Sequence, residues 1–434
     1  MRAKSPKRLC SAIGIVILTM GTAGLFAQRP SAVRQGKKSA GVSTASSGPS
    51  STYVQWNWAA WREISQETRP ELTSDQTGRA DLVDLLTYQG RKITSPSEWE
   101  PRRAHINGLL QAFLGAPLAS KPPLAVKVIE ETQQDGYKRR KLLYQTEPGE
   151  FVPAYLLIPG KLSGRAPAVI CPHQTTQEAK REPAGMAGNP QLHMALALVR
   201  RGYVTLTYDA TCFGERHDSK SGHYGDAIPF YRKHPHWALM SKMAWDLSRA
   251  IDYLETLPFV DSTRIGSIGH SHGGYTSLFA AAFDPRIRVA VSSCGFETFR
   301  YDGNAYRWSH ATALMPRLGF YSTSPYINIK NYVGMPDSET VRIPFDMHEL
   351  LALIAPRPLF LSTSDEDAIF PNAGWSARRS LARLEPLYRL LGAEDRLGSY
   401  FFRGGHSFPP EATGRAYGWL DRWLTPSDRR SDRP

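Results

Sequence analysis

The chain has 434 residues, of which 41% are hydrophobic and 21% charged, enough for a sizeable core in one large domain with extensions, or in two domains. The formal charge of +13 raises the question of nucleic-acid binding. However, Arg2, Lys4, Lys7, Arg8, Arg29, Arg34, Lys37 and Lys38 supply eight of those charges in the first 55 residues, where no acid stands. The remainder is close to balanced, which argues against a polyanion partner.

Arg2 to Arg8 form a positive segment, Ile13 to Phe26 an apolar run, and Ala27 a small residue before Gln28. This is the pattern of an export signal over residues 1–27, giving a secreted or periplasmic protein. Leu25 stands where a smaller residue is usual, so an uncleaved N-terminal anchor is the alternative. No later segment reaches the ~20 apolar residues of a membrane span, so no stable membrane insertion is expected after cleavage. Residues 28–52, rich in Ser, Ala, Gly and Lys, read as a disordered linker. Of the four cysteines only Cys171, Cys212 and Cys294 lie beyond the leader. That is no disulfide framework, although a Cys171–Cys212 bridge is left open.

Residues 53–122 read as a helical extension. Short helices are expected around Trp56–Trp61, at Leu82–Leu86 and over Glu98–Leu114. The last places Ile106, Leu109, Leu110 and Phe113 on one stripe. Residues 123–425 then form an α/β unit, and 426–434 a flexible tail. Leu124–Ile129, Lys141–Gln145 and Val152–Ile158 are β-rich runs that read as antiparallel strands. Ala168–Cys171 is a short continuous apolar run of the buried parallel kind. Helices and strands then alternate: helix Leu192–Arg200, strand Tyr203–Tyr208, helix Trp237–Leu257, strand Ile265–Ile268, helix Gly273–Phe283 and strand Val289–Ser293. A short helix from His348 to Ala355, strand Pro358–Thr363, helix Trp375–Leu391, strand Gly398–Phe402 and helix Ala412–Leu424 complete the pattern. The fold class is α/β, a mostly parallel twisted sheet with helices on both faces.

Within RIGSIGHSHGGYTSL (Arg264 to Leu278) a strand enters, Gly269-x-Ser271-x-Gly273 turns, and a helix leaves. Such a turn holds the serine hydroxyl in a strained, exposed position at the carboxyl end of the sheet, so Ser271 is the candidate nucleophile. Serine needs a base. His406, in a glycine-rich loop after the last strand, has the chain position for it, and no other histidine follows Asp367. The acid falls in Asp365-Glu366-Asp367: Asp367 is preferred, with Asp365 and then Glu366 as alternatives. The oxyanion needs two backbone N–H donors. His272 is expected to give one. Thr175, or else Gln174, on the loop after Ala168–Cys171, is expected to give the other.

These segments, with CPHQTTQEAKREPAG, RGYVTLTYDATCFGER, PFDMHELLALIAPRPLFL and GGHSFPPEA, resemble the dienelactone-hydrolase-related branch of the α/β-hydrolases. That branch includes secreted bacterial esterases of the acetyl xylan esterase kind. The likeness runs from Val152 to Leu424. It implies an eight-stranded sheet and a Ser-Asp-His triad on Ser271, Asp367 and His406. Dienelactone hydrolases use a cysteine where this chain has Ser271, so dienelactone is not the expected substrate.

The residues outside this constellation have plainer readings. His217, His223, His234 and His236 crowd one stretch with Asp218 and Asp226, but their spacing matches no metal motif, and a solvated loop is the expectation. Glu215 and Arg216 are expected to form a local ion pair. Phe299, Tyr301, Tyr306, Trp308, Phe320, Tyr321 and Tyr326 mark an aromatic insertion. Exposed, these rings would stack on sugar rings or line the acyl pocket, either receiving an apolar acyl group or walling it to favour short acyl groups; the alternative is a cap that packs on itself. The reading is an exported carboxylic-ester hydrolase without cofactor or metal, acting on short-chain esters such as those of plant polysaccharides. A prolyl-oligopeptidase-like peptidase and a non-catalytic carbohydrate-binding protein on the same scaffold are the alternatives. The oligomeric state is not legible.

Overall fold

The computed structural model describes residues 57–116, 121–217, 224–301, 312–321 and 342–425. The leader, linker and tail, and Asp218, His223, Tyr306, Trp308 and Tyr326, lie outside the described residues. The described residues fall in one compact unit.

The N-terminal segment opens with α1 (Trp58–Ser65), a hairpin of β1 (Thr87–Tyr88) and β2 (Arg91–Lys92), and α2 (Pro96–Leu114). Helix α2 starts where Ser95 and Glu98 cap each other's backbone N–H groups, and Pro96 fits its first turn. Its expected stripe is buried together with Trp99. The helix expected at Leu82–Leu86 is absent. Asp84 instead accepts hydrogen bonds from the Leu86 N–H and the Thr87 hydroxyl, both at 3.0 Å. A short polar side chain bonding its own backbone in this way competes with helix formation.

The main sheet comprises β3 (Lys127–Gln134), β4 (Tyr137–Glu147), β5 (Glu150–Pro159), β6 (Ala166–Ile170), β7 (Val204–Tyr208), β8 (Val260–His270), β9 (Ile287–Ser293), β10 (Leu359–Ser364) and β11 (Leu397–Phe402). Their spatial order is β11-β10-β9-β8-β6-β7-β5-β4-β3. The run from β7 to β11 is parallel, and β3, β4 and β5 are antiparallel. The described sheet therefore has nine strands where the resemblance implies eight. The three expected early strands are also longer than their apolar runs, because polar residues such as Glu130 to Gln134 pair on the exposed edge.

Helices α3 (Met194–Arg200), α4 (Ala227–Lys233), α5 (Leu239–Glu255), α6 (His272–Phe283), α7 (Met347–Ala352), α8 (Ala373–Leu390) and α9 (Pro410–Leu424) complete the unit. Alternate strand residues point to opposite faces. Ala168 and Ile170 join a core with α5, α6 and α8, while Val169 and Cys171 join a second core with α3 and α9. Trp61, Trp99, Ile106, Leu110 and Phe113 belong to the first of these cores. The N-terminal helices thus thicken one face of the sheet.

Candidate active site

Ser271 stands between β8 and α6 with φ 54° and ψ −122°, a conformation that a non-glycine residue adopts only at a cost of order 1–3 kcal/mol. Its neighbours show why the turn needs glycine. A Cβ on Gly269 would sit 2.1 Å from the Gly273 carbonyl, and one on Gly273 would sit 2.2 Å from the Pro172 oxygen. The Ser271 N–H donates to the Ser293 carbonyl at 2.8 Å, tying the turn to β9. Helix α6 begins at the next residue, so its N-terminal dipole lies under the serine.

His406 follows β11 on a loop whose Gly404 and Gly405 have φ of 136° and 70°. Its Nδ1 lies 2.7 Å from Asp367 Oδ2. The other Asp367 oxygen accepts the backbone N–H groups of Ile369 (2.8 Å) and Phe370 (3.0 Å). The carboxylate is buried and held from both sides, and a carboxylate on Nδ1 leaves Nε2 as the basic nitrogen. Asp365 is turned away, gripped by Arg378 at 2.6 and 2.9 Å. Glu366 faces Arg403 at 3.6 Å.

Sequence reasoning missed the lining of the imidazole. The His406 ring lies between His270, at 4.7 Å between centroids, and Phe370, stacked at 5.4 Å. His270 is buried, with Nδ1 3.0 Å from Ser293 Oγ. Burial first, and the charge that His406 can carry second, drive its pKa far below the usual histidine range. A neutral ring therefore backs the candidate base. Cys294 also approaches Asp367, and burial foremost pushes its thiol up to about 12. It is a packing thiol, not a second nucleophile. The only sequence signal for either residue was its position beside a strand end.

The close approach of Gly273 to Pro172 brings the loop of Gln174 and Thr175 against the first turn of α6, which holds His272. The His173 and His272 rings are 6.1 Å apart. The Gln174 amide donates to Glu182 at 3.1 Å, and Thr175 Oγ1 lies 3.2 Å from the Tyr224 hydroxyl. Buried Asp209 secures this loop through Lys180, at 2.6 Å. The His173 ring accepts the Ala210 N–H at 3.2 Å.

Several expectations are corrected. Cys171 and Cys212 are free thiols, so there is no bridge between them. Glu215 and Arg216 do not pair with each other. Glu215 meets Lys180 and Lys141, while Arg216 meets Asp246 and Glu150, because a one-residue step sends the two side chains to different neighbours. The described histidines of the crowded stretch disperse: His217 to Asp226, His234 to Glu147 and His236 to Glu67. Glu147, Glu150 and His234 do converge, but the Lys242 ammonium fills the gap between the carboxylates, at 2.9 and 3.0 Å. Within the aromatic insertion, Phe299 packs on Phe345, Phe320 on Trp58 and Trp61, and Tyr321 on Phe113. These three serve the core rather than an acyl pocket.

A strained serine elbow, a hydrogen-bonded imidazole–carboxylate pair and this sheet are the features of a hydrolase of the α/β-hydrolase fold. The family model described as glucuronyl esterase, fungi, matches residues 159–392, more than half of the chain. The chain belongs to that family. The matched span includes the elbow and Asp367 and ends before His406. The 4-O-methyl-glucuronoyl methylesterase of Phanerochaete carnosa is 26% identical over 359 residues, covering 78% of this chain and 80% of its own. Among solved structures, a glucuronoyl esterase from Solibacter usitatus superposes with a TM-score of 0.60 at 20% identity, over 79% of this chain and 97% of that one. A candidate acetyl xylan esterase from Bacteroides fragilis gives 0.55 at 17% identity, over 80% and 81%.

Proposed function

We propose that the protein hydrolyses a carboxylic ester on a plant polysaccharide through Ser271, His406 and Asp367. The His406–Asp367 pair beside the strained Ser271 turn is the observation that carries this reading. His406 Nε2 takes the serine proton as Oγ attacks the ester carbonyl, and Asp367 stabilises the imidazolium. Backbone N–H groups of His272 and of Thr175, or else Gln174, receive the oxyanion; losing one such donor costs about 3–4 kcal/mol of transition-state stabilisation in a serine protease. His406 then protonates the departing alcohol, and water releases the acyl group from Ser271 by the same steps in reverse. The chemistry asks for no cofactor. The basic and apolar leader supports export to where such polymers are met.

The family match favours a 4-O-methyl-glucuronoyl ester, in which the sugar is the acyl half and the alcohol departs. An acetyl ester, with the sugar as the alcohol, is the second reading, favoured by the likeness to the Bacteroides fragilis protein. The deciding experiment compares kcat/KM on methyl-esterified glucuronoxylan with that on acetylated xylan, with Ser271→Ala as the blank. Preference for the uronoyl ester is expected. Preference for acetylated xylan establishes the second reading, and activity on neither refutes both.

A further inference from the structure

Among the described residues, five large apolar side chains are exposed: Val128, Ile129, Leu162, Ile369 and Trp375. The first three belong to the edge strand β3 and to a surface turn. Ile369 and Trp375 lie on the segment that carries Asp367, at the carboxyl end of β10. Trp375, in the first turn of α8, keeps 49% of its surface open.

This tryptophan is held in place while remaining in water. The Tyr301 ring stands edge-on to it at 4.1 Å. The Arg379 guanidinium lies 5.0 Å from its centre and 5.6 Å from that of Tyr301. Arg379 also bonds the Tyr301 hydroxyl at 3.2 Å and Asp81 at 2.5 Å. The Tyr301 hydroxyl donates to Asp81 as well, and Asn372 donates to the Tyr301 carbonyl at 2.6 Å. Tyr301 comes from the loop after β9, and Trp375 from the start of α8, the helix that the loop after β10 leads into; both loops leave the carboxyl end of the sheet. An indole fixed by an ion-paired arginine and a tyrosine, yet half open, is pre-organised for a ligand. Its π face carries negative charge and attracts the polarised C–H groups on the flat face of a pyranose. Arg378, Arg379 and Arg383 outnumber the carboxylates that pair with them, Asp365 and Asp81, which suits a chain bearing acidic sugars.

We infer that Trp375 and Tyr301 form a stacking subsite for a sugar ring of the polysaccharide, on the rim of the catalytic opening. This rests on the polysaccharide-ester reading above. It takes a pyranose of the main chain next to the esterified unit and leaves the chemistry at Ser271 untouched.

Two measurements test it. The first is binding of glucuronoxylan fragments to Ser271→Ala protein, followed by calorimetry and by tryptophan fluorescence. Adding Trp375→Ala should raise Kd about tenfold, the upper range for losing one aromatic contact, whereas Trp375→Phe should retain most of the affinity. The second is turnover by Trp375→Ala alone. KM on the polymeric ester should rise with kcat unchanged, and p-nitrophenyl acetate should be hydrolysed at the wild-type rate. Unchanged binding, or equal losses on polymer and small ester, overturns the subsite. Trp375-dependent binding by an enzyme inactive on every polysaccharide ester refutes the ester assignment and leaves the subsite. Turnover of the polymer without dependence on Trp375 does the reverse.

Discussion

At the scale of single residues, Ser271 is the most constrained position. Its φ of 54° is strained for serine and costless for glycine. Ser271→Ala and Ser271→Gly should both lose ester hydrolysis. Ser271→Gly should also be more stable than Ser271→Ala, by about 1 kcal/mol. Thermal unfolding of the two variants checks this, and an alanine form as stable as the glycine form would show that the turn carries no strain. The two aspartates of the neighbouring loop give a sharper contrast. Asp367→Asn should lower kcat by a factor on the order of 10⁴, the loss seen when a serine protease loses its triad carboxylate. Asp365→Asn only breaks an exposed pair with Arg378, worth less than about 1 kcal/mol, so its kinetics should match wild type. Equal damage from both would mean that the His406–Asp367 contact is not what orients the base.

At the scale of elements, α7 carries a titration built in by burial. Glu349 accepts the Asp346 N–H at 3.1 Å and faces Arg102 at 3.5 Å. Burial outweighs the pull of Arg102 and raises its pKa to about 7. An unfolded glutamate titrates near ~4.3. The folded chain therefore holds more protons than the unfolded chain between those values, and stability falls as pH rises through that window. The contribution is fully present below about pH 4.3 and is lost as pH passes about 7. Glu349→Gln lacks this titration. The melting-temperature difference, wild type minus variant, should shrink steadily from pH 5 to pH 8, and parallel curves would refute the assignment. His348 beside it behaves oppositely: burial, then the charge of Arg300, lowers its pKa to about 3. It costs stability as pH falls from ~6.5 towards 3, which is why the Glu349 variant must be compared with wild type at each pH.

At the scale of the whole molecule, the N-terminal helices are part of the catalytic body. Trp61 is fully buried, and its indole N–H donates to the Pro235 carbonyl at 3.1 Å. Arg317 bonds the Phe113 carbonyl at 2.7 Å and pairs with Glu67, linking the same segment to the loops after β9. Trp61→Ala should cost about 3–5 kcal/mol. A chain beginning at Pro123 would expose the face that α1 and α2 cover, and it should be recovered as aggregate. Soluble, cooperatively folding protein from that truncation would show that the extension is dispensable.

The sequence by itself determined the alternation of elements, the elbow, and the identity of Ser271 and His406 as candidates. Each of these follows from local chemistry. A tight turn needs glycine at fixed offsets, a buried parallel strand needs an unbroken apolar run, and chain order places the base after the acid. It also preferred Asp367 among three neighbouring carboxylates as the candidate acid, while the contact of each carboxylate became visible only in the tertiary structure. The backbone between Ser364 and Phe370 aims Asp367 at the imidazole and Asp365 at Arg378, a matter of dihedral angles that residue type does not encode. Other long-range contacts were equally hidden. His270 meets His406 across 136 positions, Arg216 passes over its neighbour Glu215 to reach Asp246 and Glu150, and Trp375 is held by Tyr301 and Arg379. Such partners are set by the sheet order β11-β10-β9-β8, which brings together loops that are far apart in the chain and nowhere marked as neighbours along it.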